Sequence, residues 1–204
     1  ANLGLDLFIL GGISFGFLVA NRVPLNGDCL GLMGITPYLD RASLKLRPVK
    51  KQAYRLVTGF FTTTGLSRRA WKTRALRRFA HAYSRYPASR VDLILDHMDG
   101  KTFFETGRMI LNGRDGFLFH DLPYVLIANR DDATIDFAYT LAAFREKAAK
   151  LLVMETRIDH YPDEISKAYF QERIGRAEIE RALAFIRAGG KGGGADPLAT
   201  EYTA

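Results

Sequence analysis

Cysteine is nearly absent. The single Cys29 excludes an internal disulfide framework and a cysteine-built zinc site, and its simplest reading is a small buried apolar residue. Histidine is sparse too: His81, His97, His120 and His160 are well separated, and none falls in an H-x-x-x-H or H-E-x-x-H pair. No phosphate-binding G-x-x-x-x-G-K is present. The tail motif GGKGGG lacks the strand and helix that would give it meaning. In the stretch 92–99, Asp92, Asp96 and Asp99 share a helical face, but Leu95 and Thr106 occupy the first and last positions of a calcium loop, which excludes that loop. These gaps lead to the expectation of no metal, no cofactor and no enzyme. Acid is missing altogether from residues 67–90.

What the chain does hold is globular. It has 204 residues, of which 48% are hydrophobic and 25% charged, enough for one sizeable core and too polar for a polytopic membrane protein of the usual kind. The net charge of +7 predicts an anionic partner: nucleic acid, acidic lipid or an acidic protein surface. The chain begins at Ala1 rather than Met. With its arginine-rich character, that suits an organelle protein relieved of a targeting peptide.

The longest uncharged run is residues 7–20, inside LDLFILGGISFGFLVA. Its fourteen residues are borderline for a bilayer, and Gly11, Gly12 and Gly16 are of the kind that let membrane helices approach closely. The run contains Gly12-Ile13-Ser14-Phe15-Gly16, the G-x-S-x-G spelling of a nucleophile elbow. An elbow requires a strand before the serine, a helix after it, and an acid and a histidine delivered downstream by a large sheet. Only eleven residues precede the motif, so the reading favoured is a helix in which Ser14 is a small interhelical residue bonding its own backbone. Leu7, Leu10, Phe15 and Phe17 then form a membrane anchor, and a serine hydrolase ranks third among the functions considered.

Residues 23–48 are punctuated by Pro24, Gly27, Gly31, Gly34, Pro37 and Pro48, which predicts a short apolar segment and a structured loop. An amphipathic segment follows at 49–66, broken at Gly59 and Gly65. Between 67 and 90, Arg68, Arg69, Lys72, Arg74, Arg77 and Arg78 interleave with Trp71, Phe79 and Tyr83, a candidate surface for anionic lipid or an acidic partner subunit. Pro87 ends that helical stretch. Residues 91–133 read as short helices joined by turns, with a strand possible at 124–128. From about residue 131 a long amphipathic helix is predicted on Phe137, Leu141, Phe144, Ala148 and Leu151, then a last helix over 163–187 and a glycine-rich flexible tail.

The segment VPLNGDCLGLMGITPYL resembles the end of the first membrane helix of the Derlin family, rhomboid-like proteins without protease activity, and Ile35-Thr36-Pro37-Tyr38 stands in place of the turn after it. KKQAYRLVTGFF is similar to the loop-borne Trp-Arg motif of that family, with Tyr54 and Arg55 at the motif positions. FFETGRMILNGRDGFLF resembles its polar turn at Glu105 to Gly107 and Gly113-Arg114. This likeness over about residues 23–66 and 103–119 implies a mainly α, degenerate rhomboid-like helical fold: an N-terminal membrane-embedded or interfacial helix, then polar C-terminal helices. The parts would be 1–66 in or on the membrane, 67–188 docking on partner subunits, and 189–204 a flexible tail. The function implied is that of a non-catalytic accessory subunit of a large membrane complex, an ATP synthase or respiratory-chain enzyme of the mitochondrial inner membrane. Its partners are other subunits and an anionic phospholipid such as cardiolipin. The alternative is an RNA-binding protein of an organellar ribosome that uses residues 68–90.

Overall fold

The computed structural model describes residues 7–25, 27–71, 73–84, 86–113, 117–160 and 166–190. It divides into two units: Ala1–Lys45 with Asp115–His160 and Ser166–Ala204, and Leu46–Arg114 with Tyr161–Ile165.

The first unit is built on a sheet. The run expected to be one greasy helix is a strand, a turn and a helix: β1 (Phe8–Ile13), then Ser14, then α1 (Phe15–Asn21). β2 (Cys29–Ile35), β3 (Pro123–Ala128) and β4 (Lys150–Glu155) follow, and the four strands lie side by side in the order β1-β2-β3-β4, every pair parallel. Parallel sheets are covered on both faces, so their strands read as continuous apolar runs. PYVLIA, buried at every position, accordingly carries no alternation. Successive side chains of a strand nevertheless point to opposite faces. Leu32, Tyr124, Leu126 and Val153 pack on Phe17 of α1 and on Phe137, Leu141 and Phe144 of α7 (Phe137–Lys147). Val125, Ile127, Leu152 and Met154 face the other way, onto Ala182, Phe185 and Ile186 of α9 (Arg176–Arg187), with α8 (Lys167–Arg173) just before it in the chain.

The second unit is helical: α2 (Pro48–Thr64), α3 (Ser67–Trp71), α4 (Arg74–Tyr83), α5 (Ala88–His97) and α6 (Gly100–Asn112). α2 starts with Pro48 in its first turn and ends at Gly65 in the left-handed region (φ 68°), while Gly59 is carried through without a break. Trp71, Val91, Leu95 and Phe104 form its core, with Phe61 stacked on Phe104 at 4.4 Å between ring centroids. Gly100 admits the α3 backbone, because a Cβ there would stand 2.7 Å from the Ser67 carbonyl oxygen. Asp99, read above only for a cation site, caps α6 through the amides of Lys101 and Thr102.

These observations correct the fold expectation. The chain is not a mainly α, rhomboid-like bundle. Among the described residues, no helix is long and apolar enough to cross a membrane. Of the expected anchor residues, Leu10 lies in β1, Phe17 is fully buried under the sheet, and only Leu7 is largely exposed, at 61%. Tyr54 and Arg55 lie within α2 rather than in a loop, and the Arg55 guanidinium donates from Nε and Nη2 to the Leu111 carbonyl at 2.9 and 2.8 Å, satisfying the end of α6. The long helix predicted from residue 131 stops at Lys147, and Leu151 belongs to a strand. The last helix is divided at Gly175 (φ 88°), and the expected flexible tail from residue 191 onward lies outside the described residues.

Candidate active site

Ser14 sits where β1 turns sharply into α1. Its backbone has φ 50° and ψ −126°, a conformation an L-residue avoids. The turn is held from three sides. The Ser14 amide donates to the Ile35 carbonyl at 2.9 Å, and its own carbonyl accepts from Phe17 at 3.1 Å and from Tyr38 at 3.3 Å. Glycine at position 12 is a steric requirement, because a Cβ there would stand 2.6 Å from both the nitrogen and the Cα of Phe17. Gly16 carries no such demand, with nothing within 4 Å of its would-be Cβ. The turn points the serine side chain out past the carboxyl end of the sheet, the edge where open parallel sheets form their sites.

Two other strand ends deliver groups to the same place. The loop after β3 carries Asp132 and the loop after β4 carries His160. Ser14 Oγ lies 3.1 Å from His160 Nε2, and His160 Nδ1 lies 3.0 Å from Asp132 Oδ2. The Asp132 side chain is 2% exposed and that of His160 9%. The other carboxylate oxygen, Oδ1, accepts from the amides of Thr134 at 2.6 Å and Ile135 at 2.9 Å, which fixes the plane of the group. A carboxylate can only accept, so His160 Nδ1 carries a proton; in the neutral imidazole Nε2 is then the acceptor, and the Ser14 hydroxyl donates to it. Burial pushes the Asp132 carboxyl up. The hydrogen bond and charge of His160, with the Ile135 and Thr134 amides, outweigh that and hold it below the usual carboxylate range.

The loops themselves are pinned. Asn129 donates from Nδ2 to the Ile158 carbonyl at 3.1 Å, joining the aspartate loop to the histidine loop. Lys45 Nζ donates to the Asp132 carbonyl at 2.8 Å, and the Lys45 amide to the Thr134 carbonyl at 2.7 Å. The result is a hydroxyl, an imidazole and a carboxylate in line, contributed in the chain order Ser, Asp, His.

The sequence favours a helix over the elbow and does not single out Asp132 or His160, and the expectation that Ser14 bonds its own helix is overturned. The signal was the G-x-S-x-G spelling itself, together with an acid and a histidine further along in that order. Of the other histidines, His81 bonds Asp92 at 3.0 Å and His120 the Asn21 carbonyl at 3.1 Å. The expected anion-binding residues all belong to the helical unit. Arg68 and Arg69 are exposed on α3, Arg74 and Arg78 are exposed on α4, and Arg77 is held at 2.5 Å by both Asp92 and Asp96. Lys72 lies outside the described residues. Among the described residues no group of three or more His, Cys, Asp or Glu side chains could hold a metal ion.

No family description and no curated protein matches the sequence. Solved structures do match in shape. A thermophilic esterase from Thermogutta terrifontis superposes with a TM-score of 0.51 at 13% identity, covering 90% of this chain and 65% of that one. A protein described as a lipase, from Acinetobacter baumannii AYE, gives 0.53 at 14% identity, covering 89% of this chain and 62% of that one. The chain thus spans less than two thirds of the length of either. At such identity the likeness concerns the fold, and it replaces the Derlin resemblance. With that resemblance go the accessory-subunit role, the mitochondrial inner-membrane location and the expectation of no enzyme, and the ribosomal RNA-binding alternative gains no support. In fold the chain is α/β-hydrolase-like: a parallel four-stranded sheet with helices.

Proposed function

We propose that the chain carries the acyl-transfer centre of a carboxylic-ester hydrolase, with Ser14 as nucleophile, His160 as general base and Asp132 as the group that orients the imidazole. The observation that carries this is the continuous line of contacts from Ser14 Oγ through His160 to Asp132, 3.1 and 3.0 Å, starting from a strained backbone turn of the kind that clusters at functional sites.

The chemistry follows from the geometry. Ser14 Oγ attacks the ester carbonyl carbon while its proton passes to His160 Nε2. The negative charge moves to the carbonyl oxygen, where the Phe15 amide, first in α1 and without an intrahelical acceptor, can donate to it. Collapse of this intermediate breaks the bond to the alcohol oxygen, which takes the proton from Nε2 and leaves the acyl group on Ser14. Water then attacks the acyl carbon by the same route and releases the acid. Throughout, Asp132 remains ionised and stabilises the imidazolium formed at each transfer.

The test is hydrolysis of p-nitrophenyl acetate and butyrate by the full chain. Wild type should release p-nitrophenol with turnover, and Ser14→Ala or His160→Ala should lower kcat by about 10⁴-fold or more. A rate unchanged by Ser14→Ala would refute the assignment.

A further inference from the structure

The helical unit contains a cavity of about 690 Å³, and every residue lining it comes from α2 to α6 or their connections. Ligand pockets fall in a range of roughly 300–1,000 Å³. Its walls are Phe61, Trp71, Leu76, Phe79, Ile94 and Phe103, among others, and no charged side chain lines it.

Several polar groups in the wall are already spoken for. Trp71 Nε1 donates to the Met98 carbonyl at 2.6 Å, Thr73 Oγ1 donates to the Ala70 carbonyl at 2.7 Å, and Ser84 Oγ accepts from the Tyr86 amide at 3.0 Å. A ligand body that needs hydrogen bonds or an ion partner inside would be poorly served, whereas a bare hydrocarbon matches the wall. Charge sits outside. On α4, which also supplies Ala75, Leu76, Phe79 and Ala80 to the wall, Arg74 and Arg78 are exposed, while Arg77 is occupied by Asp92 and Asp96. α4 has no acid to oppose them.

We propose that this cavity binds one long alkyl chain with an anionic head, a fatty acid, with the hydrocarbon inside the helical unit and the carboxylate at Arg74 and Arg78. The site stands independently of the hydrolase reading, because its walls and its readout lie wholly in the helical unit.

The readout is built in, since Trp71 is the only tryptophan of the chain and lines the cavity. Bromine quenches tryptophan on contact, so monomeric 12-bromododecanoate titrated into the full-length protein should quench its emission saturably, with dodecanoate competing. Ala80→Phe or Ile94→Phe, which fill the cavity from α4 or α5, should remove the quenching. Ser14→Ala should leave it unchanged, which separates this inference from the catalytic one. The double change Arg74→Glu with Arg78→Glu should weaken binding by roughly threefold, as exposed ion pairs allow. The proposal falls if no quenching occurs up to the solubility limit, if it persists in both filled variants, or if it requires vesicles of brominated phospholipid, which would mean surface adsorption. Unchanged affinity in the double arginine variant would overturn the placement of the head group.

Discussion

Replacing Ser14 by glycine and by alanine gives two proteins that both lack the hydroxyl and both lose its bond to His160. Their difference in stability therefore isolates the backbone. With φ at 50° and ψ at −126°, Ser14 stores conformational strain on the order of 1–3 kcal/mol, which alanine keeps because it has a Cβ and glycine releases. Glycine loses about 0.4–1 kcal/mol of that gain, because its unfolded chain is freer. The net expectation is that Ser14→Gly exceeds Ser14→Ala in stability by about 1 kcal/mol, with the sign reversed from an ordinary helix or strand position, where glycine is worse by roughly 0.5–1 kcal/mol. In urea unfolding with a slope near ~2 kcal/mol/M, the midpoints should differ by roughly 0.5 M. Alanine equal to or more stable than glycine would refute the strained turn.

Gly12→Ala should cost roughly 1–3 kcal/mol and most of the activity, because its Cβ would stand 2.6 Å from the Phe17 backbone, whereas Gly16→Ala, with open space around it, should keep both; thermal melts and ester hydrolysis check the pair. Asp132 is held below the usual carboxylate range in the folded protein, so its contribution to stability is complete above the unfolded value of about 3.9 and disappears as pH falls through the folded value. The stability gap between wild type and Asp132→Asn should accordingly be flat above about pH 5 and narrow below about pH 4. Urea midpoints measured down that range check this, and a gap independent of pH would remove the buried Asp132–His160 pairing.

The elbow was spelled in the sequence and still misread, for a physical reason. A short apolar run has no periodicity that separates a strand from a helix, and FILGGI followed by FGFLVAN runs straight through the boundary. The missing cue was steric: Gly12 is needed by the approach of Phe17, a contact between residues that only the turn brings together. The eleven residues ahead of the motif are enough for the one strand the elbow needs, β1, while β2, β3 and β4 all follow it in the chain and supply the rest of the sheet. Leu151 fitted the helical period of α7, but the three residues between Lys147 and Leu151 hold the exit into β4. Asp132 and His160 belong to no local motif, and only the parallel register of β3 with β4 places them together. The strand at 124–128 was open in the sequence only as an alternative to short helices, and β3 takes that alternative. The helices at 49–66 and 67–90 were legible from their period and their proline stops, though not the separate cap at Thr73 that starts α4.

The central claim, that Ser14 is an activated nucleophile, is tested most directly by covalent labelling with a fluorophosphonate followed by mass spectrometry of the peptides. The account predicts one phosphonyl group per chain, on Ser14, absent in Ser14→Ala and greatly slowed in His160→Ala. Labelling elsewhere that survives Ser14→Ala, or a Ser14 as inert as the other serines of the chain, would contradict it.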